Sequence, residues 1–205
     1  SALVTLGTLS AGLAHELNNP ASAATRAVEA LRDTNDHLLE SLARLAEDGI
    51  GAAQFTALDT LRREIQSPTS SLGALAAADA EDEVGQWLED HDVAEPWLMA
   101  PTLAAAGVDV AWCERVADLF IDHDLDLEPA FNWVANTLTV DSLLGQIRES
   151  TGRISELVAA VKSYSQMDRA EMNQVDVTEG LESTLVMLGH KLREGVVVER
   201  DYDPD

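Results

Sequence analysis

The sequence is poor in cysteine, in basic residues and in long apolar runs. Its one cysteine, Cys113, excludes an internal disulfide and a cysteine-rich zinc site. No segment approaches the roughly 18 consecutive apolar residues of a membrane-spanning helix, and the chain does not open with a signal peptide. Only 13 basic residues stand against 37 acidic ones, a formal net charge of −24. This balance argues against contact with nucleic acid or anionic membranes, and we expect a cytoplasmic protein.

The chain has 205 residues, of which 46% are hydrophobic, so it can build a core of one or two domains. Its charge is uneven, because residues 46–142 hold 20 acidic and three basic residues, a net of −17. The same segment holds all four tryptophans and all three phenylalanines. This shift in composition predicts an acidic module inserted between two parts of another domain.

Apolar periodicity predicts two long helices. Over residues 2–46, leucines recur at spacings of three, four and seven, which is typical of a coiled-coil or bundle seam. A second seam predicts a helix over about 130–170. The two predicted seams are Leu6, Leu13, Leu17, Ala24, Leu31, Leu38, Leu42 and Leu45, and Leu143, Ile147, Ile154, Val158, Val161 and Ser165. Shorter helices are predicted near 52–66, 79–91, 95–106 and 109–122, separated by proline and glycine.

The C-terminal part, residues 172–205, is expected to mix strand and helix. Val175-Asp176-Val177 resembles a short strand, and Asp176 with Glu179 could cap a helix over 178–193. Residues 196–202 alternate in a way that favours a second strand. The chain stops before a sheet could be completed, so we expect a truncated α/β segment.

His15 is the most informative residue in the first helix. At about 100° per residue, the seam positions fall within a narrow arc and His15 lies roughly opposite them, facing solvent. Asn19 follows one turn later on nearly the same face, and Glu16 lies beside them at the flank. An exposed neutral imidazole can attack phosphorus, an adjacent carboxylate can accept its other proton, and an amide can orient a water molecule. Pro20 removes the helical hydrogen bond to the carbonyl of Glu16.

The stretch His15-Glu16-Leu17-Asn18-Asn19-Pro20 resembles the phosphoacceptor motif of sensor histidine kinases of two-component systems at every position. The preceding residues 6–14 are similar to that family's approach to the histidine. Residues 153–158 resemble the second helix of its dimerisation domain, and residues 174–205 resemble the start of its ATP-binding domain. The resemblance covers residues 1–45 and 143–205, about half of the chain.

The resemblance implies a mainly α fold in which a long antiparallel helical hairpin dimerises into a four-helix bundle. It makes His15 the phosphoacceptor, Glu16 its acid/base and Asn19 the residue that positions water for phosphatase activity. The implied partners are a second copy of the chain and the receiver domain of a response regulator. The implied segments are 1–45, the first helix; 46–142, the insert; 143–171, the second helix; and 172–205, the start of the catalytic domain.

Two features depart from the family. About 90 residues separate the helices where the family has a short loop, and the nucleotide-binding boxes do not occur in this chain. Asp48-Gly49-Ile50-Gly51 is superficially similar to one such box, but a helix C-cap turn explains it better. We therefore expect no cofactor in this chain and no kinase activity by it alone, with ATP and Mg²⁺ bound by a separate catalytic domain.

Two other interpretations remain open from the residues. In one, the protein is an acidic helical interaction module without phosphoryl chemistry, and the long helices only dimerise it. In the other, the acidic segments 89–92 and 122–128 hold a metal ion, although they lack the spacing of a calcium-binding EF-hand loop and solvated turns are expected. Trp87, Trp112 and Trp133 are expected to form the core of the insert, and Cys113 is expected to be buried with them.

Overall fold

The chain is mainly helical, as predicted. The computed structural model describes residues 2–65, 73–120, 126–167, 177–187 and 197–202, with side chains over 12–65, 73–120, 126–162, 177–186 and 197–202. Within these ranges there is no β-strand. The helices are α1 Ala2–Glu47, α2 Ala52–Glu64, α3 Ala74–Asp90, α4 Pro96–Ala105, α5 Val110–Phe120, α6 Glu128–Met167 and α7 Val177–Met187.

Local signals in the sequence define where helices begin and end. Gly49, with φ of +83°, ends α1 in a Schellman turn, in which Gly49 N–H donates to Ala46 O and Ile50 N–H to Leu45 O, at 3.2 and 3.0 Å. Residues 48–51, which are superficially similar to a nucleotide-binding box, therefore form the C-terminal turn of a helix, as expected. Helix α6 begins at Glu128, so Pro129 lies in its first turn, where a missing N–H costs little.

The chain divides into two compact units. Unit 1 comprises Ser1–Val28 with Gly145–Asp205, and unit 2 comprises Glu29–Leu144. Unit 2 thus ends near the predicted border at 142 but begins well before the predicted border at 46. The physical reason is that Leu38, Leu42 and Leu45, expected in the bundle seam, pack into the core of unit 2.

The core of unit 2 is built around aromatic side chains, as expected. Trp87, Trp112 and Trp133 are buried, and the fully buried ring of Phe131 lies 5.5 Å from Trp87 and 6.1 Å from Trp112 between ring centroids. The indole N–H of Trp112 donates to the carbonyl of Leu61 at 3.0 Å. The indole N–H of Trp87 donates to Glu114 Oε1 at 2.8 Å, so both of these tryptophans contribute apolar area without leaving their polar atom unsatisfied.

Cys113 is fully buried in the same core, as expected. Burial, followed by the charges of Asp109 and Glu114, raises the pKa of its thiol to about 12. The thiolate is the nucleophilic and metal-binding form, so Cys113 is an apolar core residue at neutral pH.

Unit 1 contains α7, which covers part of the helix predicted over 178–193; its predicted cap at Asp176 lies outside the described residues. The strand predicted over 196–202 is not formed in its described part, residues 197–202. These residues contact α7 instead, because Arg200 Nε and the Tyr202 hydroxyl both donate to Glu182 Oε1, at 2.7 and 2.8 Å. A strand requires a neighbouring strand to satisfy its backbone, and the described residues provide none.

Replacing Phe131 by alanine should destabilise unit 2 by about 3–5 kcal/mol, because it leaves a cavity between packed indole rings. Chemical denaturation followed by tryptophan fluorescence measures this loss. Leu75→Ala is the matched control, since Leu75 is 77% exposed and its truncation should change stability by less than about 0.5 kcal/mol. Equal effects of the two substitutions would contradict the assigned core.

Candidate functional site

His15 and Asn19 lie on the exposed side of α1 in unit 1. They are four residues apart, so their side chains are neighbours along the helix surface. Among the described residues, none makes a hydrogen bond to the His15 imidazole. The predicted exposure of His15 is confirmed, and its imidazole is accessible to a reactant approaching from solvent.

Glu16 lies elsewhere than the sequence predicted. Instead of occupying the flank beside His15, it is 3% exposed, and its Oε2 accepts a hydrogen bond from Nη2 of Arg153 on α6 at 3.3 Å. The position of the buried side of α1 explains this difference, because that side runs through Glu16 and not through the predicted leucine seam. The guanidinium of Arg153 balances the charge of this carboxylate, because a buried charge without a partner would be strongly unfavourable.

The buried side of α1 in unit 1 is offset from the predicted seam. Glu16, Pro20 and Ala27, spaced by four and seven, are buried. The predicted seam residues Leu13, Leu17 and Ala24 are only half-buried, as are Ile147, Ile154 and Val161 on α6. Each long helix therefore carries a second apolar stripe that this chain covers incompletely.

A cleft of about 330 Å³ in unit 1 includes Asn19 and Arg153 among its lining residues. Its other lining residues are Pro20, Ala23, Gln146, Glu149 and Ser150. Pro20 has no N–H, so the carbonyl of Glu16 lacks its helical donor beside this cleft. The cleft thus combines the amide of Asn19 and the guanidinium of Arg153, and Asn19 lies one helical turn from the exposed His15.

Arg153 is the site residue that sequence reasoning missed. The sequence assigned Arg153 no role beyond its place in residues 153–158, which resemble the second helix of a dimerisation domain. Its partner lies 137 positions earlier in the chain, and the periodicity of one helix does not specify contacts at that separation. The signal that could have identified Arg153 is a carboxylate on the inner side of one long helix, which needs a basic residue on the other long helix as its partner.

The acidic segments do not assemble a metal site in the part of the chain that the structure describes. No group of three potential ligands is found there, and residues 122–125 of the second acidic segment lie outside it. In the first segment, Glu89 to Asp92 are exposed, as expected. His91 is engaged locally, with its ring stacked on Trp87 at 3.8 Å and Nδ1 2.7 Å from the Trp87 carbonyl oxygen.

No family model matches the sequence, and no curated protein or solved structure is significantly similar to it. None of the described helices is both long enough and apolar enough to cross a membrane.

The Glu16–Arg153 pair should contribute to the stability of unit 1. Arg153→Met leaves a buried carboxylate without its cation and should cost about 1–2 kcal/mol, less than a fully buried pair because the Arg153 side chain is 44% exposed. Glu16→Gln in the same background should restore most of the loss. The measurement is a double-mutant cycle of thermal unfolding, and a coupling energy near zero would show that the contact is not energetically relevant.

Proposed function

We propose that this chain is the dimerisation and histidine-phosphotransfer region of a two-component sensor histidine kinase. The observation that carries the proposal is the exposed His15 on a long helix, within the six-residue motif, with Asn19 one turn further on the same side. A histidine that only stabilised the fold would be expected to pack or to hydrogen-bond, and His15 does neither among the described residues.

In the proposed reaction, a ring nitrogen of neutral His15 attacks the γ-phosphorus of ATP. A nitrogen–phosphorus bond forms, the bond to the ADP oxygen breaks, and the proton of the other ring nitrogen passes to a base. Glu16 would be this base, and it must then exchange its contact with Arg153 for one with His15. ATP and Mg²⁺ would be held by a separate catalytic domain, and this chain supplies the acceptor.

The half-buried stripes support a four-helix bundle made by two copies of the chain. Pairing of two copies would cover Leu13, Leu17 and Ala24 of α1 together with the matching stripe of α6, and Val158 is still 52% exposed. Burying such surface contributes about 25 cal/mol per Å², which favours association. We therefore propose that α1 and α6 form an antiparallel hairpin and that two such hairpins associate into the bundle.

The proposed phosphoryl acceptor is an aspartate in the receiver domain of a response regulator, which would take the group from His15. We propose that the protein acts in the cytoplasm, where ATP and receiver domains are available. Its net charge of −24 gives no support for contact with nucleic acid or an anionic membrane surface. In the phosphatase reaction, a water molecule positioned by Asn19 would hydrolyse the phosphoryl group on the aspartate of the response regulator.

His15→Gln should abolish phosphorylation in the complete kinase, because the amide is not a nucleophile towards phosphorus. The measurement is incorporation of acid-labile label from radiolabelled ATP in the presence of magnesium. His37→Gln is the matched control, since His37 is also exposed on α1 and lies outside the motif. Label that is retained in His15→Gln, or lost equally in both variants, would rule out His15 as the acceptor.

Asn19→Ala should slow dephosphorylation of the response regulator by roughly 100-fold or more, which is typical when a group that positions a reactant is removed. Phosphorylation of His15 should stay near the unsubstituted rate, because Asn19 is exposed and its replacement disturbs no core contact. The two rates are measured separately on the same preparation. A parallel loss of both would indicate damage to the helix instead of a role for the amide.

A further inference from the structure

Unit 2 exposes two adjacent large apolar side chains at the beginning of α4. Trp97 is 67% exposed and Leu98 is 65% exposed, whereas the other three tryptophans are buried in the core. Single exposed apolar residues are common, but an exposed tryptophan beside an exposed leucine forms a patch that often marks an interface. We refer to Trp97 and Leu98 as the apolar pair.

The backbone before the apolar pair is held in an unfavourable conformation. Asp92 and Glu95 have φ of +58° and +49°, the left-handed region that costs a non-glycine residue about 1 kcal/mol or more. Both residues lie in the turn from α3 into α4. The fold therefore tolerates strain at the turn that presents the apolar pair to solvent.

A cleft of about 410 Å³ in unit 2 is continuous with this patch, because Leu98 is one of its lining residues. Thr102 and Asn132 also line it and are half-buried, and their side chains make no hydrogen bond to another described residue. Asn136 makes only a long bond, from Nδ2 to the Ser41 hydroxyl at 3.4 Å. Carboxamides donate and accept at once, so the cleft matches the alternating donors and acceptors of a peptide backbone.

The charge around the patch favours a positive partner. Residues 65–114 contain ten acidic residues and no lysine or arginine. The arginine that lines the cleft, Arg44, is already paired with Glu128 at 3.0 Å, while Glu40 lines the same cleft. Complementary charge accelerates association and selects against acidic partners.

We infer that the apolar pair and the adjoining cleft form a docking surface for a basic, extended peptide segment of a partner protein. An apolar side chain of that segment packs on Trp97 and Leu98, and its backbone hydrogen-bonds to Thr102 and Asn132. Its lysine or arginine side chains face the acidic surroundings. This surface uses none of the residues assigned to phosphotransfer, so the inference does not depend on the proposed function.

The test uses three labelled synthetic peptides of equal length and fluorescence anisotropy at physiological salt. One alternates lysine with leucine, the second replaces lysine with glutamate, and the third replaces leucine with serine. The lysine–leucine peptide should bind the unsubstituted chain more tightly than either of the others. Trp97→Ala combined with Leu98→Ala should weaken that binding at least about tenfold, the effect expected of interface hot spots.

Leu75→Ser is the matched control, because Leu75 is also exposed in the acidic unit but is remote in sequence from α4. It should leave the affinity unchanged, and so should His15→Gln. Both residues of the apolar pair are on the surface, so their substitution should preserve the unfolding midpoint. Equal binding of the lysine–serine peptide, no binding of the lysine–leucine peptide, or full binding by the apolar-pair variant would overturn the inference.

Discussion

The structure depends on one shared core, in which the end of α1 and the beginning of α6 are packed together. Leu45 from α1 and Phe131 and Val134 from α6 are buried in the same cluster as the tryptophans of the insert. The salt bridge from Arg44 to Glu128 joins the same two helix segments. In unit 2 this core brings the end of one long helix beside the start of the other.

In the proposed reaction, Glu16 would serve structure in one state of the protein and chemistry in another. Buried against Arg153, it stabilises the contact between α1 and α6; released, it is one residue from the exposed His15. A signal that alters the spacing of the two helices would change the balance between these positions. The proposed chemistry and the packing of the helices are then coupled through a single side chain.

Much of the helical fold follows from local rules, whereas the contacts within the site do not. Apolar periodicity predicted the long helices, and Gly49 predicted the end of α1, because both signals act within a few residues. The exposure of His15 followed from the same helical geometry. The burial of Glu16 and the exposure of Trp97 depend on which helix packs alongside, and residues 197–202 find no strand to pair with in the described part of the chain. These features depend on contacts between distant segments, so the spacing of residues within one segment could not predict them.

The central claim is that phosphate is carried by His15. Direct mapping of the modification in the complete kinase tests it, using mass spectrometry on peptides kept at neutral or alkaline pH after incubation with ATP and magnesium. We expect a phosphohistidine in the peptide that contains His15, lost on brief acid treatment. Phosphate on another residue, or on an acid-stable serine or threonine, would contradict it.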